Sequence, residues 1–151
     1  MACVAGYTIV NDITLRETAQ PDARSFEPNR FESNRLGPDW LQSKNSPGFL
    51  PSGPFLVPAA FVPDPHALHL QLTLNGETMQ SAQTSGMLFD IATQIEYISQ
   101  HAQLLPGDII CTGSPTNSSA HDERYLQPGD VMEATIEGLG TQRTRCVAEY
   151  E

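Results

Sequence analysis

Two side chains of opposite charge in the first third of the chain have the chemistry to act on a small anionic molecule. Asp12 follows a β-prone run, Tyr7 to Val10, in an Asn-Asp step of the kind that marks turns. Lys44 is the only lysine among the 151 residues and precedes a segment rich in glycine and proline. A carboxylate can ligate a hard divalent cation, and an ammonium can stabilise charge that develops on oxygen. For Lys44, an exposed loop lysine without a chemical role is the alternative.

Two other segments offer groups that could contact a ligand. In Cys111-Thr112-Gly113-Ser114-Pro115 a predicted buried strand ends in hydroxyl residues, whose O–H and backbone N–H groups suit an anion. An ordinary strand-to-loop transition is the alternative there. His121 stands among acidic residues, where a solvated loop histidine is the simpler interpretation. Glu149 and Glu151 imitate a paired-carboxylate motif, but a C-terminus is a poor place for a rigid metal site.

Several classes of function find no support in the sequence. There is no G-x-S-x-G elbow, and no glycine-rich loop opens a helix. The formal net charge of −10 argues against a nucleic acid or an anionic membrane as partner. Three cysteines without C-x-x-C spacing indicate neither a disulfide framework nor a zinc site, and each is predicted to be a small core residue. No signal peptide or membrane-spanning run is visible, so the predicted location is the cytoplasm.

The elements that must position these groups are predominantly strands. Leucines alternate with polar residues from 68 to 75, and Asn75-Gly76 predicts a hairpin whose second strand is Glu77 to Ser81. Helical spacing of apolar residues predicts one core-facing helix, capped by Thr84 or Ser85 and ending near His101. Further predicted strands are Phe55 to Val57, the run before Thr112, and a hairpin of Met132 to Ile136 with Thr141 to Val147; the Tyr7 strand is expected to continue past Asp12 through Thr14. The prediction is a mainly β domain with one α-helix.

Two copies of a Pro-Gly-Asp pattern, at 106–108 and 128–130, predict type II turns in which Asp108 and Asp130 are turn residues. Residues 19–53 hold five prolines, alternating charges and spaced aromatic residues. A loop of this length is commonly functional or mobile, so it is predicted to be a lid-like loop within a single domain over 1–151, with a plain flexible excursion as the alternative.

Taken in order, these segments resemble the fumarylacetoacetate hydrolase family, over nearly the whole chain. The resemblance is carried by Gly6-Tyr-Thr-Ile-Val-Asn-Asp-Ile-Thr-x-Arg16, Lys44 ahead of Gly53-Pro54, Asn75-Gly76-Glu77, the span 84–98, Leu105-Pro-Gly-Asp-x-Ile-x-Thr-Gly-Ser-Pro115, Pro128-Gly-Asp-Val-x-Glu133, and Ile136-Glu-Gly-Leu-Gly-Thr141 with Arg145. It implies a mixed β-roll like the family's C-terminal domain, a homodimer, and a site for Mg²⁺ or Mn²⁺, with Ca²⁺ as a further option. It also implies a small 2-oxo acid or acylpyruvate-type substrate that is hydrolysed at a C–C bond or decarboxylated.

The resemblance assigns roles to five residues. Asp12 matches the family's third metal carboxylate, and Lys44 matches the lysine that approaches the substrate and its developing oxyanion. Ser114 matches the hydroxyl residue that contacts the substrate carboxylate, with Thr112 beside it. Arg16 matches the arginine four residues after the ligand aspartate, with a role in organising the site.

The chain also departs from the family pattern. The family's E-x-E metal ligands and its His-Glu dyad belong to a preceding half, so the chain is expected to be a partial domain, truncated at its N-terminal side. Between Ala19 and Trp40 it is longer than the common pattern. Two hypotheses remain: the catalytic-fold portion of a metal-dependent enzyme, impaired alone or completed by a separate chain, and a non-catalytic binding or assembly protein.

Overall fold

The structure is a computed structural model, and it describes residues 2–15, 40–115 and 125–148. The chain forms two compact units, one of residues 1–9 with 53–151 and the other of residues 10–52. Within the described ranges, no helix has the length and apolar character needed to cross a membrane. The predicted single partial domain over 1–151, with its lid-like loop at 19–53, stays a prediction.

The larger unit is built on a four-stranded antiparallel sheet, and its strands are β3 (His69–Leu74), β4 (Glu77–Gln83), β5 (Val131–Ile136) and β6 (Gly140–Arg145). Their order across the sheet is β4-β3-β5-β6. Asn75-Gly76 joins β3 to β4 as predicted, since Leu74 pairs with Glu77 directly across the turn. The predicted hairpin around Gly138 is also confirmed, with Val131 opposite Arg145.

A second, two-stranded sheet pairs β1 (Gly6–Tyr7) with β2 (Val57–Pro58). Ile9, Val62 and Leu139 form a buried cluster beside it, to which Tyr7 and Val57 add partly buried surface. The predicted strand from Phe55 is shorter than expected, because its first two residues are exposed and unassigned and only Val57 reaches β1.

A buried glutamine restrains the backbone of the larger unit at two positions that are far apart in sequence. Gly53 N donates to the Ile9 carbonyl at 2.9 Å, so these two residues are hydrogen-bonded neighbours. The Nε2 atom of Gln142 in β6 lies 3.5 Å from the Ile9 oxygen and 3.3 Å from the Gly53 oxygen. A buried amide that donates to backbone carbonyls restrains that backbone, so β6 holds both Ile9 and Gly53 in place.

Both Pro-Gly-Asp copies form the predicted turns, with one hydrogen-bond pattern repeated. Asp108 N donates to Leu105 O at 3.1 Å, and Leu105 N donates back to the Asp108 carboxylate at 2.7 Å. The Gln127–Asp130 turn repeats both contacts at 3.0 and 2.9 Å. Gly107 and Gly129 have φ of +100° and +97°, as the third position of a type II turn requires.

Of the two α-helices in the described residues, α1 (Trp40–Lys44) and α2 (Ile91–His101), the longer α2 ends where predicted but begins later than expected. Asp90 is its N-cap, and the Asp90 side chain accepts a hydrogen bond from Thr93 N at 2.7 Å. Thr84 could not be the cap because its hydroxyl accepts from Leu68 N at 2.9 Å, and residues 84–86 form a separate 3₁₀ turn. The predicted core stripe therefore survives only in part: Ile91 is buried, whereas Leu88 is 94% exposed.

Two further predictions about burial are wrong. The segment before Thr112 is not a strand, and Cys111 to Ser114 are exposed. Cys3 and Cys111 are exposed, and Cys146 is half-buried, so the cysteines are not core residues. Apolar residue types at these positions predict buried side chains. A side chain is buried only where another part of the chain covers it, and the local sequence does not show whether that happens.

Candidate functional site

The backbone around Asp12 is a turn, which corrects the predicted continuous strand. Val10 bridges antiparallel to Ser52, and Asn11 N donates to Pro51 O at 3.1 Å. Ile13 N then donates to Asn11 O at 3.0 Å, which closes a three-residue turn centred on Asp12. Because this turn interrupts any ladder at residue 12, strand pairing stops there and the carboxylate is held at a bend.

Lys44 is placed by a short helix that the sequence analysis did not predict, α1 (Trp40–Lys44). Leu15 N donates to Ser43 O at 2.9 Å, and Ser43 is fully buried. Lys44 is the last residue of α1, where a positive side chain also suits the negative end of the helix dipole. The Asp12 segment and the α1 segment are therefore tied together next to both charged residues.

Asp12 and Lys44 form a direct ion pair within this smaller unit. Lys44 Nζ lies 2.7 Å from Asp12 Oδ2, although 32 residues separate the two in sequence. The side chain of Lys44 is 17% exposed and that of Asp12 is 47% exposed. Solvent therefore screens the charge of this ammonium less than it screens the charge of an ordinary surface lysine. The carboxylate of Asp12 remains partly exposed to water. Lys44 is not the exposed loop lysine that the sequence left open as an alternative.

A third residue, which the sequence analysis did not assign to the site, contacts the same ammonium. Thr14 Oγ1 accepts a hydrogen bond from Lys44 Nζ at 2.7 Å. Thr14 and Asp12 are two residues apart on one short segment, so both oxygens reach Nζ from the same stretch of backbone. The only sequence signal was the Asp-x-Thr spacing, which is too common to be specific.

The fit of a divalent cation can be tested on the donor set. Among residues 2–15, 40–115 and 125–148, no three His, Cys, Asp or Glu side chains are grouped so that they could hold a metal ion. Asp12 offers one carboxylate, and its Oδ2 atom already accepts the ammonium of Lys44. A Mg²⁺ or Ca²⁺ site needs six or more oxygen ligands, several of them from protein or substrate. The described residues do not form a metal site by themselves.

The other predicted site residues are not brought to this pair by any described contact. Thr112 and Ser114 belong to the larger unit and are exposed, and Gln80 Nε2 donates to the carbonyl of neighbouring Pro115 at 3.3 Å. Their convergence with Asp12 and Lys44 stays a prediction. Arg16, His121, Glu149 and Glu151 lie outside the described residues.

The larger unit also carries a cleft that the sequence did not single out. Its volume is about 310 Å³, and its walls are mainly apolar, with Asp64 and Glu137 as the acidic residues of the lining. Next to it, Asp64 Oδ1 accepts from His66 N at 2.9 Å, and His66 Nε2 accepts from Ile91 N at 3.2 Å. The Asp64 carboxylate thus stabilises the turn at residues 64–66, and the His66 ring accepts a hydrogen bond from the first residue of α2.

Comparison with known proteins identifies relatives over nearly the whole chain. A family model described as fumarylacetoacetate (FAA) hydrolase C-terminal matches residues 1–147. A 2,4-didehydro-3-deoxy-L-rhamnonate hydrolase from Sphingomonas sp. (strain SKA58) is 38% identical over 150 residues, which are 97% of this chain and 47% of that protein. Mitochondrial oxaloacetate tautomerase FAHD2A from Bos taurus is 37% identical over 142 residues, 93% of this chain and 41% of the relative.

Solved structures agree with these sequence relatives. The crystal structure of 5-carboxymethyl-2-hydroxymuconate delta-isomerase from Mycobacterium smegmatis superposes with a TM-score of 0.75 at 31% identity, over 97% of this chain and 49% of that one. The predicted family and fold, a mainly β chain with one main α-helix like the family's C-terminal domain, are confirmed. The chain spans about half the length of the relatives it matches.

Proposed function

The chain belongs to the fumarylacetoacetate hydrolase family, and on that premise we propose that it is the catalytic-fold portion of an enzyme for small 2-oxo acids. Its relatives carry the names of a hydrolase, a tautomerase and an isomerase. The observation that supports the proposal most directly is the contact between Lys44 and Asp12, which places an ammonium 2.7 Å from a carboxylate oxygen.

The proposed reaction is hydrolysis of a C–C bond in an acylpyruvate-type substrate, or decarboxylation of an oxo acid. In either reaction, negative charge develops on a carbonyl oxygen as the bond to carbon breaks. A fixed, poorly screened ammonium stabilises such charge better than a mobile one in water, and we assign that role to Lys44. Thr112, Ser114 and Arg16 are proposed to bind the substrate carboxylate.

We also propose that the enzyme binds a divalent cation, Mg²⁺ or Mn²⁺ with Ca²⁺ as a further option. Asp12 is the only residue that we propose as its ligand. The cation would polarise the oxo group of the substrate when it is bound. Asp12 supplies one carboxylate, and other ligands must come from outside the described residues or from a separate chain. We accordingly propose that the chain acts as a homodimer or with such a partner, and that its activity alone is low.

A second function, ligand binding without turnover, is favoured by one observation. The described residues hold no group of three metal-ligating side chains, and a base that activates water is not among the residues assigned to the site. A protein of this kind would still bind a 2-oxo carboxylate at Lys44 but would not convert it.

Turnover of acetylpyruvate to acetate and pyruvate, with Mg²⁺ or Mn²⁺ present, tests the proposal. Lys44→Met should lower the rate by about a hundredfold or more, the usual cost of losing an oxyanion donor. Arg143→Met is the matched control, because it also removes one cation from an ion pair, here with Glu133 at 3.4 Å. The control should keep the rate of the unchanged protein.

Three outcomes separate the alternatives. Equal, measurable rates in Lys44→Met and the unchanged protein would reject Lys44 as the catalytic residue. Acetylpyruvate binding that depends on Lys44 but gives no products would support the binding protein. Turnover by the chain alone at ordinary enzyme rates, about 1–10³ s⁻¹, would show that the proposed impairment is wrong.

A further inference from the structure

The Lys44 ammonium is held by more contacts than a simple ion pair provides. A lysine carries a compact charge on a flexible four-carbon stem, and attraction to a carboxylate alone fixes its distance better than its direction. Here Nζ has two acceptors at 2.7 Å, Asp12 Oδ2 and Thr14 Oγ1. Two acceptors at fixed points define a direction for the ammonium as well as a distance.

Thr14 is suited to hold that direction because its side chain is stiff. Both heavy atoms on Cβ restrict the χ1 angle, so the hydroxyl is a more rigid acceptor than that of serine. The contact with Lys44 is partly buried, where a hydrogen bond from a charged donor is stronger than in open water. The carboxylate of Asp12, by contrast, is about half exposed and has solvent as a competitor.

We propose that Thr14 is a positioning residue, which orients the Lys44 ammonium toward the oxygen of a bound 2-oxo acid. This inference rests on the role proposed above for Lys44. It adds that the hydroxyl at residue 14, rather than the carboxylate of Asp12 alone, sets the direction of the donor. Valine at this position would keep the shape of the side chain and remove the acceptor.

The test uses Lys44 as its own reporter, because the chain has no other lysine. The folded full-length protein is acetylated with a limiting amount of acetic anhydride at fixed pH, and Lys44 is compared with the α-amino group by mass spectrometry. The nitrogen of Lys44 can attack the anhydride only after it leaves its hydrogen bonds with Asp12 and Thr14. Thr14→Val should therefore raise the relative rate at Lys44 about tenfold, the effect of a hydrogen bond to a charged group.

Two variants serve as controls. Thr14→Ser retains the hydroxyl and should stay within about twofold of the unchanged protein, since the charged hydrogen bond is kept. Thr144→Val makes the same chemical change in β6, in the other unit, and should leave Lys44 unaffected. A folded Thr14→Val protein with an unchanged rate at Lys44 would overturn the proposal.

If Thr14→Val does not fold, ¹⁵N relaxation of the Lys44 ammonium in protein labelled at lysine decides the question. We expect restricted motion in the unchanged protein and more motion in Thr14→Ser. An Nζ as mobile as that of a flexible side chain, with an order parameter below about 0.6, would overturn the proposal. Labelling and relaxation need no turnover, so positioning by Thr14 can stand even if the proposed enzyme function fails. In an active protein, Thr14→Val should lower kcat more than it raises KM.

Discussion

Lys44 is the more buried member of its ion pair with Asp12, at 17% side-chain exposure against 47%. This asymmetry matters because the two charges are not equally able to return to water when the pair is broken. A half-exposed carboxylate can be rehydrated where it stands, whereas a largely buried ammonium must either keep a partner or move. Each single substitution at the pair consequently has its own expected cost.

Asp12→Ala should destabilise the protein more than Lys44→Met. Loss of Asp12 leaves a largely buried charge with one of its acceptors removed, a change that costs about 1–3 kcal/mol. Lys44→Met removes the buried charge and leaves a carboxylate that water can reach. Urea unfolding at neutral pH measures both free energies of unfolding, and a larger loss for Lys44→Met would contradict this account.

Gly6→Ala should destabilise the sheet formed by β1 and β2. A Cβ atom at Gly6 would collide with the backbone carbonyl of Val57, and backbone in a paired strand cannot move aside as a flexible side chain can. Overpacking of this kind costs about 1–3 kcal/mol. Gly86→Ala is the matched control, because no atom beyond its two chain neighbours lies within 4 Å of the Cβ position there. Similar melting temperatures for the two variants would disprove the close contact.

Acid should weaken the start of α2 through Asp90. The backbone and side-chain hydrogen bonds from Thr93 hold the pKa of the Asp90 carboxyl below its ordinary value. The stabilisation is therefore complete above the ordinary aspartate pKa of about 3.9, and it is lost as the pH falls toward the lowered folded value. Asp90→Ser keeps an acceptor that does not titrate, so its stability should depend less on pH as the pH falls below about 4. Parallel pH profiles would contradict the prediction.

Cys146 should react with iodoacetamide more slowly than the other two cysteines. Burial, followed by the negative charge of Asp130, raises the pKa of the Cys146 thiol, and the thiolate is the reactive form. Cys3 and Cys111 are exposed. Peptide mass spectrometry after brief alkylation near pH 8 gives the order of modification. In denaturant all three should react alike, and rapid modification of Cys146 in the folded protein would refute the prediction.

The parts of the fold that the sequence predicted depend on chemistry within a few residues. Asn75-Gly76 and the two Pro-Gly-Asp turns are closed by contacts between residues a few positions apart. A short stretch of sequence therefore contains all the groups that interact. The start of α2 was mistaken because Thr84 satisfies the same capping rule as Asp90. What decided between them was the contact of Thr84 with Leu68, 16 residues away.

The candidate site shows the same division. Residue type and position pointed to Asp12 and Lys44 separately, but only the resemblance assigned them to one site, because nothing local connects residues 32 apart. Thr14 was missed, since its role appears only once α1 brings Lys44 to that segment. The exposed Ser114 segment was expected to follow a buried strand, but an apolar run is buried only where another element covers it.

The hydrogen bond between Gly53 and Ile9 has a consequence for how this chain can vary in evolution. This bond and the contacts from Gln142 hold residues 9 and 53 together within the larger unit, so a change of chain length between them need not alter the pairing of β3 with β5. The entropy of closing a flexible loop rises slowly, by about 0.6 kcal/mol for each doubling of its length. A longer segment between residues 9 and 53 would therefore cost the larger unit little.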